Sequence, residues 1–168
     1  MTTSYEVRAI TPVVLKELLD RDDAGHTREP VTDTEGGAPL RCCLRRSTPG
    51  ERIALVSYAP LRRWAAETGT DPGPYDECGP VFIHAEGCDT RSDDADYPAA
   101  LHGPRRVLRA YDAAGHILGG RFLELPRERF TEVGQAIDEM FAEPEVALIH
   151  VRAVEFGCFF MEVRRRSA

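Results

Sequence analysis

Asp112-Ala113-Ala114-Gly115 separates two runs, Arg106 to Tyr111 and His116 to Leu125, and no other pattern constrains the chain as much. Asp and Gly fit the first and last positions of a type I turn, and the flanking runs carry residues that strands favour. A hairpin here commits the chain to antiparallel pairing. A second hairpin is expected from Glu145 to Phe156 and Cys158 to Arg164, which are rich in β-branched and aromatic residues. A third is expected from Leu40 to Arg46 and Arg52 to Tyr58, joined across Thr48-Pro49-Gly50-Glu51. Gly79-Pro80 opens a further strand that runs to His84, with Cys88 beyond it, and Tyr5 to Ile10 alternates weakly enough to be another.

Three segments read as short helices. Thr11 and Pro12 form an N-cap and first-turn pair ahead of an apolar stripe of Leu15, Leu18 and Leu19. Pro60 to Thr68 carries Leu61, Trp64 and Ala65 and is closed by Gly69. Thr131 can cap a helix to about Ala142, because Val133, Ile137, Met140 and Phe141 recur at helical spacing and Pro144 stops continuation. Residues 20–39 are acidic and rich in Gly, Pro and Thr, which predicts a long acidic surface loop. Residues 89–104 read as a second polar loop without a helix. The expected fold is α+β in a single domain, a mainly antiparallel twisted sheet of about seven strands with about three short helices.

Composition narrows the function classes. A chain of 168 residues can bury a core without covalent staples. Its formal charge of −7 repels polyanions, which argues against nucleic-acid binding. No apolar run has the length a membrane helix needs, and the first residues lack the basic and apolar regions of a signal peptide. With five cysteines in such a chain, reduced thiols and a cytoplasmic location are expected. Lys16 is the only lysine against many arginines, a bias that fits a GC-rich, actinobacterial genome.

Period-two geometry splits each expected strand into two rows. Ala147, Ile149 and Val151 leave His150 and Arg152 on the opposite face; Leu108 and Ala110 leave Arg109 and Tyr111; Val81 and Ile83 leave Phe82 and His84. In one sheet turning one face, His84, Arg109, Tyr111, His150 and Arg152 would converge on a cationic hollow rimmed by Tyr58, Tyr75 and Glu77. Such a hollow suits a small anionic ligand held by the arginine forks, with His84 and His150 positioned for proton transfer. Cys88, four residues after His84, is the candidate thiol nucleophile.

Two readings from other classes compete. His84 and Cys88, with Cys43, His150 and Cys158 on other segments, could supply mixed nitrogen and sulfur ligands to a zinc ion in a non-catalytic protein. Cys42 is expected to point away from Cys43 in a regular strand, so that both could not bind one ion without a bulge. Alternatively, the chain is a protein-interaction module whose acidic N-terminal loop docks a basic partner.

The segments 36–45, 49–51, 57–58, 79–85 with Cys88, 108–112, and 150–152 with Cys158, taken together and in order, resemble an uncharacterised bacterial family, the domain of unknown function numbered 1203. The resemblance covers roughly residues 35–165 and implies no particular activity. It marks Cys43, His84, Cys88, Arg109, Tyr111, His150, Arg152 and Cys158 as matches to recurrent positions. Cys42 and a longer acidic N-terminal region are departures from the pattern.

Overall fold

Ten strands form two five-stranded sheets in the computed structural model, which describes residues 3–88 and 96–167. In chain order the elements are β1 (Tyr5–Arg8), α1 (Pro12–Asp20), β2 (Val31–Thr32), β3 (Pro39–Leu40), β4 (Arg45–Arg46), β5 (Arg52–Tyr58), α2 (Pro60–Thr68) and β6 (Gly79–His84). They are followed by β7 (Arg105–Tyr111), β8 (Ile117–Glu124), α3 (Glu132–Phe141), β9 (Leu148–Ala153) and β10 (Phe159–Arg165). The first sheet has the order β1-β10-β9-β7-β8, and the second β2-β5-β6-β3-β4. All pairings are antiparallel except that of β3 with β6. The mixed α+β class and the three helices agree with the sequence, but there are ten strands in two sheets where about seven in one were expected.

The two long hairpins form as their sequences require. Gly115 adopts φ +82°, a left-handed conformation that glycine reaches without strain, and its N–H donates to Asp112 O at 3.0 Å to close the β7–β8 turn. Leu108, Ala110, Ile149, Val151, Met161 and Val163 then face one way and bury against Val133, Ala136, Ile137 and Phe141 of α3. Each fully buried aliphatic side chain contributes about 1.5–3 kcal/mol. Thr131 precedes α3 but caps it with no side-chain hydrogen bond, because its own backbone is already helical at φ −63° and ψ −23°.

The second sheet builds its own core, in which Ile53, Val56, Val81 and Ile83 meet Leu15 and Leu18 of α1. Thr11 caps α1 through its hydroxyl, which accepts from Val14 N, and Gly69 ends α2 at φ +73°. The buried Arg41 side chain ties the sheets together by donating from Nε to Phe159 O at 2.8 Å. Arg41 and Arg106 also stack on the Phe160 ring from 4.7 and 4.6 Å.

Two segments depart from expectation. Leu40 to Arg46 is not one strand: residues 41–44 form a turn between β3 and β4, closed by Leu44 N donating to Leu40 O at 3.0 Å. Leu44 takes φ +55°, at a cost of about 1–2 kcal/mol for a residue with a Cβ. Burial of its side chain, 2% exposed in the first sheet's core, offsets that cost. Consequently β5 pairs with β2 and β6 and makes no hairpin with β4.

The acidic segment 20–39 is also more ordered than a bare loop. Asp22 is buried, and its carboxylate accepts from Ala24 N, His26 N, Ser57 N and Arg28 Nε at 3.1, 3.0, 3.0 and 2.7 Å. These bonds hold it well below the ordinary carboxylate range although burial opposes the shift. Asp23 accepts from Ala59 N and Arg63, and Asp33 from Ser47, so much of the segment's acidity is engaged within the chain. Of the second polar loop, residues 89–95 lie outside the described residues, and Ala99–Leu101 forms a single 3-10 turn. Among the described residues, no helix is long and apolar enough to cross a membrane.

Candidate metal centre and a second polar cavity

The turn at residues 41–44 has a chemical consequence. Its tight backbone brings the adjacent thiols of Cys42 and Cys43 to the same side, whereas a regular strand would separate them. Cys42 Sγ lies 3.4 Å and Cys43 Sγ 3.8 Å from Nδ1 of His84, the last residue of β6. Gly87, at φ +49°, turns the chain after β6 and returns Cys88 to the same place. One ligand atom from each of Cys42, Cys43, His84 and Cys88 lies within 4.8 Å of every other. With metal–sulfur bonds near 2.3 Å and metal–nitrogen bonds near 2.0 Å, a tetrahedral ion sets its ligand atoms about 3.5–3.8 Å apart.

The surroundings prepare the imidazole. His84 Nε2 lies 3.1 Å from Glu51 Oε1 and 3.3 Å from Arg45 Nη2; with its proton donated to the carboxylate, which can only accept, Nδ1 turns its lone pair toward the thiols. Arg45 anchors the carboxylate with Nη1 and Nη2 at 3.2 and 2.6 Å, and Thr48 N donates to it at 2.8 Å. Arg45 and this N–H draw Glu51 well below its usual value. A carboxylate behind the imidazole is the common outer partner of a metal-binding histidine.

Cys42 and His84 are buried, and Cys43 and Cys88 half-buried. The His84 backbone N–H donates to Cys42 Sγ at 3.3 Å. The Cys42 thiol bonded to it, aided by the Arg45 backbone N–H, draws Cys43 down to about 6; the same bond and burial push Cys42 up. Burial pushes Cys88 up to about 11. One thiolate is thus already favoured within the group. A hollow of about 410 Å³, walled by Arg45, Glu51, Arg52, Glu86 and Gly87, opens over His84 and gives a path from solvent.

The other sequence-selected residues gather elsewhere. On the face of the first sheet away from α3, Arg109 pairs across strands with His150, and Val107 with Arg152. Tyr58, Glu77, Tyr111, His150, Arg152 and Cys158 line a cavity of about 440 Å³. Arg109 reaches Glu77 at 3.1 Å, and Arg152 reaches it at 3.2 Å. Tyr111, His150 and Arg152 of the expected rows thus line one space, and Arg109 meets it through Glu77.

His84 is not among them, because β6 belongs to the second sheet and turns the imidazole toward the cysteines. The reverse correction holds for the metal candidates: Cys43, His84 and Cys88 meet, whereas His150 and Cys158 belong to the other cavity. Cys42, set aside on strand geometry, joins the cluster because that strand does not form.

Sequence reasoning missed Glu51 and Arg45, although Pro49-Gly50-Glu51 lay within the resemblance. It also missed Glu162, whose place beside His150 follows from its polar row on β10. His102 is buried and satisfied, 3.0 Å from the Tyr97 hydroxyl and donating to Leu125 O at 3.1 Å.

A family model described as a protein of unknown function (DUF1203) matches residues 37–165, most of the chain. The chain belongs to the DUF1203 family. The matched region contains all four members of the Cys/His cluster and every side chain of the second cavity. No curated protein and no solved structure shows a significant match to this DUF1203 chain.

Proposed function

We propose that this protein binds a zinc-type metal ion through Cys42, Cys43, His84 and Cys88, in a closed site with a non-catalytic role. The supporting observation is the convergence of three thiols and one imidazole nitrogen within 4.8 Å of one another. Thiolate-rich tetrahedral sets suit zinc, and oxygen-seeking ions such as magnesium or calcium disfavour them. Four protein ligands fill the coordination shell, leaving no open position for a substrate, which is the pattern of structural rather than catalytic zinc. The ion would join the 41–44 turn, the end of β6 and the following loop, displacing the protons of Cys42 and Cys88 so that all three sulfurs bond to one cation.

The test is metal analysis of reduced protein purified without a histidine tag or chelator. About one equivalent of zinc is expected, falling in Cys42→Ser, Cys88→Ser and His84→Ala variants. Less than about a tenth of an equivalent, with no uptake when zinc is added to the reduced protein, removes the proposal.

A further inference from the structure

The cavity of the first sheet has three features that the metal reading does not use. First, two guanidinium groups on adjacent strands share one carboxylate. Arg109 Nη1 donates to both oxygens of Glu77 at 3.1 Å, and Arg152 Nη2 lies 3.2 Å from Oε2. The arginine side chains are 25% and 16% exposed, whereas that of Glu77 is 50% exposed. Glu77 lies outside any strand or helix, between the 3-10 turn Gly73–Tyr75 and β6. Fixed arginines and a carboxylate on irregular chain make a receptor with a removable occupant. The two cations and one anion leave a net charge of +1.

Second, His150 is 1% exposed, and neither ring nitrogen has a hydrogen-bond partner among the described residues. Its nearest charged neighbour, Glu162 Oε1, is 3.7 Å from Nε2, beyond hydrogen-bond reach, and is itself engaged by Arg164. Tyr111 and Phe159 pack edge-on against the ring at 4.8 and 5.0 Å. A buried imidazole lacking both bonds is costly and calls for a partner outside the chain. Burial also holds this histidine below its ordinary value, so it stays a neutral group with one donor and one acceptor.

Third, the rest of the wall is apolar, formed by Pro60, Leu61, Pro80 and Phe159 beside Tyr58. His150 and Arg152 lie two residues apart on one face of β9, which sets their Cα atoms about 7 Å from each other.

We infer that this cavity is a binding site for a small monocarboxylate with an apolar body and a second oxygen at its far end. The ligand carboxylate takes the place of the Glu77 carboxylate between Arg109 and Arg152, the body lies against Leu61 and Phe159, and the far oxygen bonds to His150. Glu77 acts as an internal competitor that closes the fork when no ligand is present. This inference is independent of the metal proposal, since none of the four cluster residues lines the cavity.

The experiment is calorimetric titration of the full chain with 4-hydroxyphenylacetate, phenylacetate, benzyl alcohol and inorganic phosphate. Wild type is compared with Glu77→Gln, Arg152→Gln, Arg109→Gln and His150→Leu, each checked for folding by circular dichroism. Glu77→Gln, a change at an exposed side chain, should bind 4-hydroxyphenylacetate about tenfold more tightly than wild type, because the competitor's charge is gone. Arg109→Gln should lose about tenfold, and it decides the matter should Arg152→Gln not fold. The hydroxyl's advantage over phenylacetate should vanish in His150→Leu, which offers neither a donor nor an acceptor. Equal binding by wild type and Glu77→Gln, absence of carboxylate binding by both, or tighter binding of benzyl alcohol or phosphate than of either carboxylate overturns the inference.

Discussion

Replacing Glu51 with Gln tests the metal centre at a residue that touches no metal. Glu51 serves four donors: His84 Nε2 at 3.1 Å, Arg45 through two nitrogens at 3.2 and 2.6 Å, and Thr48 N at 2.8 Å. Glutamine keeps one acceptor oxygen and turns an NH₂ group toward the remaining donors, so either His84 or Thr48 loses its acceptor. Loss of the outer partner of a ligating histidine weakens metal binding by roughly 10- to 100-fold. The Glu51 side chain is 24% exposed, so water can replace part of the lost bond, which places the effect near the lower end. Tenfold is about 1.4 kcal/mol, or about 3–6 °C in the zinc-dependent rise of the melting temperature for a chain of this size. The assay is competition for zinc between the reduced protein and a chromophoric chelator, with Glu29→Gln, an exposed acid, as the charge-matched control. If Glu51→Gln holds zinc within about twofold of both wild type and that control, the carboxylate does not orient His84 and the reasoning fails.

Three further outcomes follow from the geometry. Burial lowers the pKa of His150 and of His102 from 6.5, so below that pH the unfolded chain binds more protons than the folded one. Stability is therefore complete above pH 6.5 and falls with acidification, by up to about 1.4 kcal/mol per pH unit for His150. Urea titrations between pH 8 and 5 should show a shallower slope for His150→Gln than for wild type, and identical slopes contradict the assignment. Asp22→Ala leaves three backbone N–H groups and Arg28 without their acceptor and should cost about 3–5 kcal/mol by urea denaturation; a loss under about 1 kcal/mol shows that the 20–39 segment is not pinned there. Gly69→Ala should cost about 1–2 kcal/mol through its backbone alone, since an added Cβ meets nothing within 4 Å, and thermal melts showing no loss contradict the left-handed cap.

Residues 105–111 and 148–153 were legible because regular strands obey a strict period of two. Once Leu108, Ala110, Ile149 and Val151 face the core, Arg109, Tyr111, His150 and Arg152 have no choice of side. The three helices were legible for similar local reasons: Thr11 and Gly69 end their helices with groups that belong to the backbone's own chemistry. Residues 41–46 were not legible, because Arg-Cys-Cys-Leu-Arg-Arg has no alternation and the outcome turns on Leu44. That residue accepts a left-handed backbone only because a pocket in the other sheet's core buries its side chain.

Sequence alone determined the polar rows of β7 and β9, where the β7–β8 hairpin turns, where α1 begins and where α2 ends. Only the tertiary structure decided which sheet each strand joins, and that choice separated His84 from His150. Alternation is a property of one strand's backbone, whereas sheet membership is settled by burial and hydrogen bonding between segments far apart in the chain. The same long-range packing, acting through a single strained turn, set Cys42 and Cys43 side by side facing His84.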